Sequence, residues 1–295
     1  MVVTYFPDHA RLEALLSALS GSVDAAVVVD NGSARLDAQR LARAGPALVV
    51  ERCGANHGLA AAQNIGTEIA RGLGAAYVLF LDQDSVPDKQ MVLRLRQSLD
   101  RLTAQGCNVA LVGPRFRTAG DALSSFVRFG RLRLHRIACH NDELAVECDA
   151  LISSGSLVPI KVLDDVGGME EGFFIDQVDT EWCLRARAKG YRLFGACGAI
   201  LEHRMGEDVH RLWWGRWRNL FRHTPSRYYY IFRNTVALLR RDYVPGVFKL
   251  YQLRWLAALL IMFGILRGPK FLELKMMLKG IRDGLRGVNG KLEAG

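Results

Sequence analysis

The chain lacks the features that mark several common protein classes. Its 295 residues contain no low-complexity tract and no repeat of roughly 20 to 50 residues, which excludes disordered and solenoid architectures. The six cysteines, at 53, 107, 139, 148, 183 and 197, include no C-x-x-C pair and no metal-finger spacing, so they read as buried thiols in a reducing compartment. The opening "MVVTYFPDHARLEALL" has no basic n-region, long apolar core or small-residue cleavage site, and the expectation is a cytoplasmic protein. Nor does it offer the glycine-rich basic loop that a nucleotidyltransferase would need for a triphosphate. Toward the other end, the uncharged run Trp255 to Leu266 is 12 residues long, whereas a bilayer-spanning helix needs about 20.

What is present is a large apolar share and an uneven charge. Half of the residues are hydrophobic, enough for one large core or two modest ones. From Arg204 onward 18 Lys and Arg stand against 6 Asp and Glu, a net of +12, while the first 203 residues carry −3. A module boundary is therefore expected near residue 204.

In the first part, "AAVVVD" (25–30), "ALVVE" (47–51), "AYVLFLD" (76–82) and "VALVGP" (109–114) are short continuous apolar runs, the pattern of strands buried on both faces. Residues 9–19, 58–73 and 89–102 place Leu, Ile and Met three and four apart, the pattern of amphipathic helices. Strand alternating with helix predicts an α/β fold with a mostly parallel, Rossmann-like sheet and its binding groups at the carboxyl ends of the strands.

Two of those ends carry carboxylates. Asp30 closes "AAVVVD", and "YVLFLDQDS" closes with Asp82 and Asp84, which share a face if the chain stays extended. Paired carboxylates suit a hard cation, Mg²⁺ or Mn²⁺, that fills its remaining positions with water and a diphosphate. A bare D-x-D is also common in turns. An EF-hand loop is excluded, because the sixth position from Asp82 is Pro87 and the twelfth is Leu93.

The segments "VVTYFP", "VVVDNGS", "NHGLAAAQNIG", "FLDQDS", "GGMEEGFFIDQVDTEWCLRARAKGY" and "ILEHRMG" occur in the order and spacing of an inverting, GT-A-type family 2 glycosyltransferase. The resemblance covers about residues 2 to 206 and is strongest to bacterial dTDP-rhamnosyltransferases of O-antigen, capsule or cell-wall polysaccharide synthesis. It implies a GT-A catalytic domain over 1–206, with a nucleotide-sugar half at about 1–115 and an acceptor half at about 116–206.

Several site residues follow from the resemblance. Thr4 and Tyr5 match the segment touching the nucleotide, and Asp30 the carboxylate that accepts from N3–H of uracil or thymine. Asn56, Gly58 and Asn64 fall in the donor-side helix start, and Asp82 on the donor ribose or sugar. Asp84 matches the metal ligand, with His203 completing the metal site or touching the diphosphate. The family's E-D-x-D string aligns Asp179 with the catalytic base and puts Glu181 in the place of the last Asp. Val178 replaces the usual Glu, which leaves Asp176 as the substitute supporting acid. On a helix Asp176 and Asp179 share one face while Glu181 lies round from them. Ser154, Gly155, Gly168 and Met169 match the acceptor side, and Arg185 matches the scaffold or pairs with an acid of the string.

Residues 207–295 interleave Trp, Tyr and Phe with Arg and continue into apolar stretches flanked by Lys. The expectation is a basic module of amphipathic helices lying on the inner membrane, peripheral and cytoplasmic, beside a lipid-linked glycan acceptor. Packing on the catalytic domain or a homodimer interface would use the same apolar stripes. Nucleic acid is not an expected partner, since no recognition motif accompanies the basic residues.

Overall fold

Each apolar run becomes strand and each amphipathic pattern a helix, except that the run 76–82 breaks into two strands at Phe80 and the run 109–114 extends to Arg117. The computed structural model describes all residues except 34–35, 118–121, 132, 141–142, 203–208, 214–216, 222, 267–270 and 294–295. The first half runs β1 (Val2–Thr4), α1 (His9–Leu19), β2 (Ala25–Asp30), α2 (Ala38–Ala42), β3 (Ala47–Arg52), α3 (Leu59–Gly72), β4 (Tyr77–Leu79), β5 (Leu81–Asp82), β6 (Val86–Pro87) and α4 (Met91–Ala104). The second half adds β7 (Val109–Arg117), β8 (Phe126–Phe129), β9 (Leu134–Ile137), β10 (Ala145–Cys148), β11 (Leu157–Pro159), α5 (Ile160–Val166), α6 (Val178–Ala188) and β12 (Arg192–Glu202). Beyond it lie β13 (Val209–Trp213), β14 (Trp217–Phe221), α7 (Pro225–Leu239), α8 (Gly246–Leu259), a π-helical stretch Leu260–Leu266 and α9 (Phe271–Arg286).

Strands β3, β2, β1 and β5 form an all-parallel sheet in that order, and β10, β12, β7, β11 and β4 form a mixed one. The segment Tyr77–Asp82 serves both, since Phe80 donates to the Ser156 carbonyl and accepts from the Gly155 amide between its two strand halves. Alternate residues feed separate cores: Val27, Val29, Val78 and Phe80 pack on one side, Ala26, Val28, Leu79 and Leu81 on the other. Burial on both faces is why the runs at 25–30 and 76–82 are continuous rather than alternating, whereas β3 lies at the sheet edge with only half-buried and exposed residues, against that expectation.

Two expectations need correction. Cys139 and Cys197 are not free thiols: their Cα atoms approach to 5.6 Å and their sulfurs are bonded. Cys148 and Cys183 are the buried thiols expected, and burial pushes the Cys183 thiol up to about 12. The C-terminal module is also not helical throughout, because β13 and β14 pair as an antiparallel hairpin where the basic, Trp-rich segment begins.

Helix α7 starts on a Thr224 cap with Pro225 in its first turn and buries Tyr228 through Thr235 without a break. It packs on α9 so closely that a Cβ on Gly280 would lie 2.6 Å from the Tyr229 carbonyl oxygen, and one on Gly284 2.6 Å from that of Arg233. The stretch Gly246–Phe263 has the length and apolar composition of a weak candidate span, with a mean hydropathy of 1.3 and a third of it buried. Lys249 and Arg254 lie within it.

Candidate functional site

The carboxyl ends of β1, β2 and β5 lie side by side, Thr4 in register with Asp30 and Val3 with Asp82. Asp30 is buried and accepts from the Ser33 amide at 3.2 Å, with the Thr4 hydroxyl at 3.4 Å. Tyr5 and Phe6 project beyond this edge and are exposed. Their amides are held by the Gln83 side chain and the Ser33 hydroxyl, each at 2.8 Å, and Phe6 adopts a φ of 47°. Their rings meet edge to face, with centroids 4.7 Å apart, and stay exposed beside Asp30.

Asn31 was not singled out from the sequence, where "DNGS" reads as a turn. It is buried, and its side chain donates to Asn56 Oδ1 and the Gly58 carbonyl, both at 3.1 Å, while accepting from the His57 amide at 2.9 Å. Asn56 in turn accepts from the Gly58 amide. The segment expected to face the donor is therefore first a bracket. Gly58 has a φ of 93°, and a Cβ there would come within 2.6 Å of Phe174. Asn64 accepts from the Met169 amide at 2.7 Å and donates to its carbonyl at 3.0 Å, while a Cβ on Gly168 would lie 2.6 Å from Asn64 Oδ1. Asn64, Gly168 and Met169 thus form one joint between α3 and the loop before α6.

The turn carrying Asp82 and Asp84 is built from below. The Ser154 hydroxyl accepts from the Asp82 amide at 3.1 Å and lies 3.0 Å from the Ser85 hydroxyl, and the Ser85 amide closes on the Asp82 carbonyl. Ser154 is buried, and Gly155, at a φ of 80°, donates to the Phe80 carbonyl with Pro114 where a Cβ would stand. The structure thus places this pair beneath the turn as its support.

Asp82 and Asp84 are both half-buried. No group of three His, Cys, Asp or Glu side chains is gathered as a ligand set among the described residues, and His203 lies outside them. The single half-buried carboxylate of Asp84 is compatible with Mg²⁺ or Mn²⁺, which keep several waters and take substrate phosphate oxygens rather than a full protein cage.

Asp179 stands in the first turn of α6. Phe80, Ile152, Ser153, Met169 and Trp182 line the same small cavity, and its side chain keeps only a narrow solvent-facing edge. Burial raises its pKa from 3.8 to about 6; amide bonds from Thr180 and Ser153 oppose the shift, while the charges of Asp82 and Asp176 add to it. The D-x-D turn and the acid string therefore share one electrostatic site. Gln63 also escaped the sequence reading. It is buried, and its Nε2 donates to the Ser153 hydroxyl at 3.1 Å, steadying the residue whose amide reaches Asp179. Only its place as a polar residue inside an otherwise apolar helix face signalled it.

Asp176 precedes α6 in a segment where Phe174, Asp176 and Gln177 all have φ between 62° and 64°. It pairs with Arg227 of α7 at 3.1 Å. Glu181 faces elsewhere: it is buried, its oxygens accept from Arg185 at 2.8 and 2.9 Å, and Tyr243 donates to it at 2.6 Å. That engagement makes Glu181 part of the scaffold and leaves Asp176 as the acid beside Asp179. Arg185 also donates to the Val166 and Gly168 carbonyls, which fixes it in the scaffold too.

Comparison with known proteins places this geometry among relatives. The model for glycosyl transferase family 2 matches residues 9–151. The dTDP-rhamnosyl transferase RfbF of Shigella flexneri is 29% identical over 295 residues, covering 98% of this chain and 96% of that protein. S. aureus TarS 1–349, crystallised with UDP-GlcNAc, superposes with a TM-score of 0.56 at 16% identity, covering 97% of this chain and 80% of that one. GalNAc-T7 with UDP, GalNAc and Mn²⁺ gives 0.56 at 12% identity, covering 68% and 42%. These two likenesses are of fold.

Proposed function

We propose, from the match of residues 9–151 to the family 2 glycosyl transferase model, that the chain moves L-rhamnose from dTDP-L-rhamnose, with inversion, onto a hydroxyl of a lipid-linked glycan in bacterial surface polysaccharide synthesis. The observation that carries the reading is Asp179, a carboxyl with its pKa raised to about 6 in the same site as Asp82. Similarity to a dTDP-rhamnosyl transferase over nearly the whole chain supports the donor.

In this reading Asp30 accepts N3–H of the pyrimidine, Tyr5 and Phe6 cover the base, and Asp82 holds the ribose or sugar. Asp84, with His203, would hold Mg²⁺ or Mn²⁺, which supplies charge neutralisation for the departing diphosphate. Asp179 takes the acceptor hydroxyl proton as the new bond forms at the anomeric carbon, on the face opposite the diphosphate oxygen that leaves with the old bonding pair. Asp176 stands beside it as the supporting acid.

Calorimetry with dTDP-L-rhamnose, UDP-glucose and UDP-N-acetylglucosamine, each with and without Mn²⁺, tests the donor. Metal-dependent binding of the dTDP sugar, weakened at least tenfold in Asp84→Ala, is expected. Uracil presents the same N3–H, so binding of a UDP sugar alone would transfer the reading to a UDP-hexose donor. No binding of any of the three by folded protein would favour an inactive scaffold.

The same proposal places the chain at the cytoplasmic face of the inner membrane. On α8, Leu250 and Leu253 are exposed, with Ile261 following, and on α9, Phe271, Leu278 and Leu285 are exposed. Arg254, Lys275, Arg282 and Arg286 are exposed among them, whereas the two α9 acids, Glu273 and Asp283, are buried. Apolar side chains with an all-basic surround suit anionic lipid. Co-sedimentation with phosphatidylglycerol vesicles, absent with phosphatidylcholine alone and lost in Phe271→Glu/Leu278→Glu, is expected. A concentration-dependent dimer abolished by the same double variant, without vesicle binding, would instead make this face a homodimer interface.

A further inference from the structure

Arg233 is 1% exposed and Asn234 0% exposed, side by side in the middle of α7. Among the described residues Arg233 makes no ion pair. Its guanidinium spends its donors on the carbonyl oxygens of Gly172 at 2.9 Å and Phe173 at 3.0 Å, on Gly290 and on Asn234 Oδ1 at 2.9 Å. The rings of Tyr229 and Tyr230 lie 5.5 and 5.1 Å from it. Asn234 Nδ2 reaches the carbonyls of Phe173, Ile175 and Asp176 at 2.8, 2.6 and 3.0 Å. Burying a cation is costly, and here it is met by carbonyls and ring faces; two of these four Arg233 bonds and all three from Asn234 Nδ2 go to one short loop.

That loop is the strained one. Phe174, Asp176 and Gln177 have positive φ, a conformation unfavourable for a side-chain-bearing residue, and such strain persists only when the surroundings impose it. Gln177 is the residue before α6, and its side chain donates to the Thr235 hydroxyl at 3.1 Å. Asp179 follows two residues later.

We infer that Arg233 and Asn234 are positioning residues for the transfer step: by clamping the carbonyls of Gly172, Phe173, Ile175 and Asp176 they impose the loop conformation that aims Asp176 and Asp179. The inference rests on the reading of Asp179 as base, and it makes α7 part of the catalytic apparatus although no α7 side chain need touch substrate. A displaced base costs rate steeply, about 10²-fold for a misplacement near 1 Å, while donor contacts on β1, β2 and β5 stay as they are.

The test uses the full chain with Asn234→Leu, Arg233→Leu and Arg233→Lys. In Asn234→Leu, amide deuterium exchange over residues 172–178 should quicken about tenfold with exchange in β1, β2 and α3 unchanged. Release of dTDP from dTDP-L-rhamnose with lipid-linked glycan as acceptor should lose about 10²-fold in kcat with donor KM within about twofold. Arg233→Lys should recover part of what Arg233→Leu loses. Wild-type exchange over 172–178 and wild-type kcat in Asn234→Leu would overturn the inference, as would a loss confined to donor KM. Should Asn234→Leu fail to fold, Thr235→Val, which removes the single bond to Gln177, carries the same readouts at smaller amplitude. The exchange measurement needs no substrate, so a wild-type protein that turns over no nucleotide sugar would sink the transfer reading and leave the clamp to be judged by exchange alone.

Discussion

Asp179→Asn is expected to cut transfer by about 10³-fold while leaving donor binding intact and raising the melting temperature. The loss follows because an amide cannot accept the acceptor's proton, whereas the donor is held from the other strand ends. The gain follows from linkage. Asp179 has a pKa of about 6 in the fold against 3.8 ordinarily, so between those values the native state holds a proton that the unfolded chain has released. Stability contributed by the protonated form is complete below about pH 4 and is lost as pH rises through 6. At pH 7 the ionised carboxylate costs the fold about 2 kcal/mol after allowance for its solvent-facing edge. The asparagine variant escapes that cost, so its advantage in melting temperature should shrink toward pH 4. Turnover in the wild type should rise along a limb centred near pH 6. Full turnover by the variant, or a flat profile from pH 5 to 8, would remove Asp179 from the role of base.

Glu181→Ala should be the most damaging substitution to the fold, by about 3 to 5 kcal/mol. The carboxylate is 1% exposed and is met by Nε and Nη2 of Arg185 and by the Tyr243 hydroxyl. Removing it strands a partly buried guanidinium and a phenol at the seam between α6 and the segment joining α7 to α8. Glu181→Gln keeps an acceptor for both partners and should cost less than half as much. Urea unfolding of the three proteins at one temperature measures this. A difference under 1 kcal/mol for Glu181→Ala would mean that Arg185 and Tyr243 find other partners. Donor affinity of the still-folded Glu181→Ala should match wild type, which separates this scaffold acid from its neighbour two residues away.

How these two acids diverge shows what could be read from the chain and what could not. Residues two apart on a helix point about 200° apart, so the spacing of 179 and 181 already implied different surroundings. Which one meets solvent depends on Arg185 and Tyr243, the latter 62 residues away. The strands ending in Asp30 and Asp82 were legible because burial on both faces writes an uninterrupted apolar run. The Cys139–Cys197 pair was not, because it depends on how β9 and β12 lie in space across 58 residues. Asn31 and Gln63 were overlooked because short polar residues serve turns and helices everywhere, and only their buried partners mark these two. The C-terminal helices were ambiguous for a different reason: a stripe of Tyr, Phe and Leu suits a membrane or a neighbouring helix equally, and the burial of Arg233 had no counterpart in composition.

The clamp also has a meaning in time. A chain emerging from the ribosome in order would complete both sheets and α6 before the side chains that reach the Gly172, Ile175 and Asp176 carbonyls, at 233 and 234, had been made, and the α9 glycines that seat α7 come later still, at 280 and 284. The strand ends that carry Asp30 and Asp82 would therefore be assembled well before the loop ahead of Asp179 was set. On the proposed function, a nascent chain could hold a nucleotide early, yet could use it only after α7 and α9 had been made.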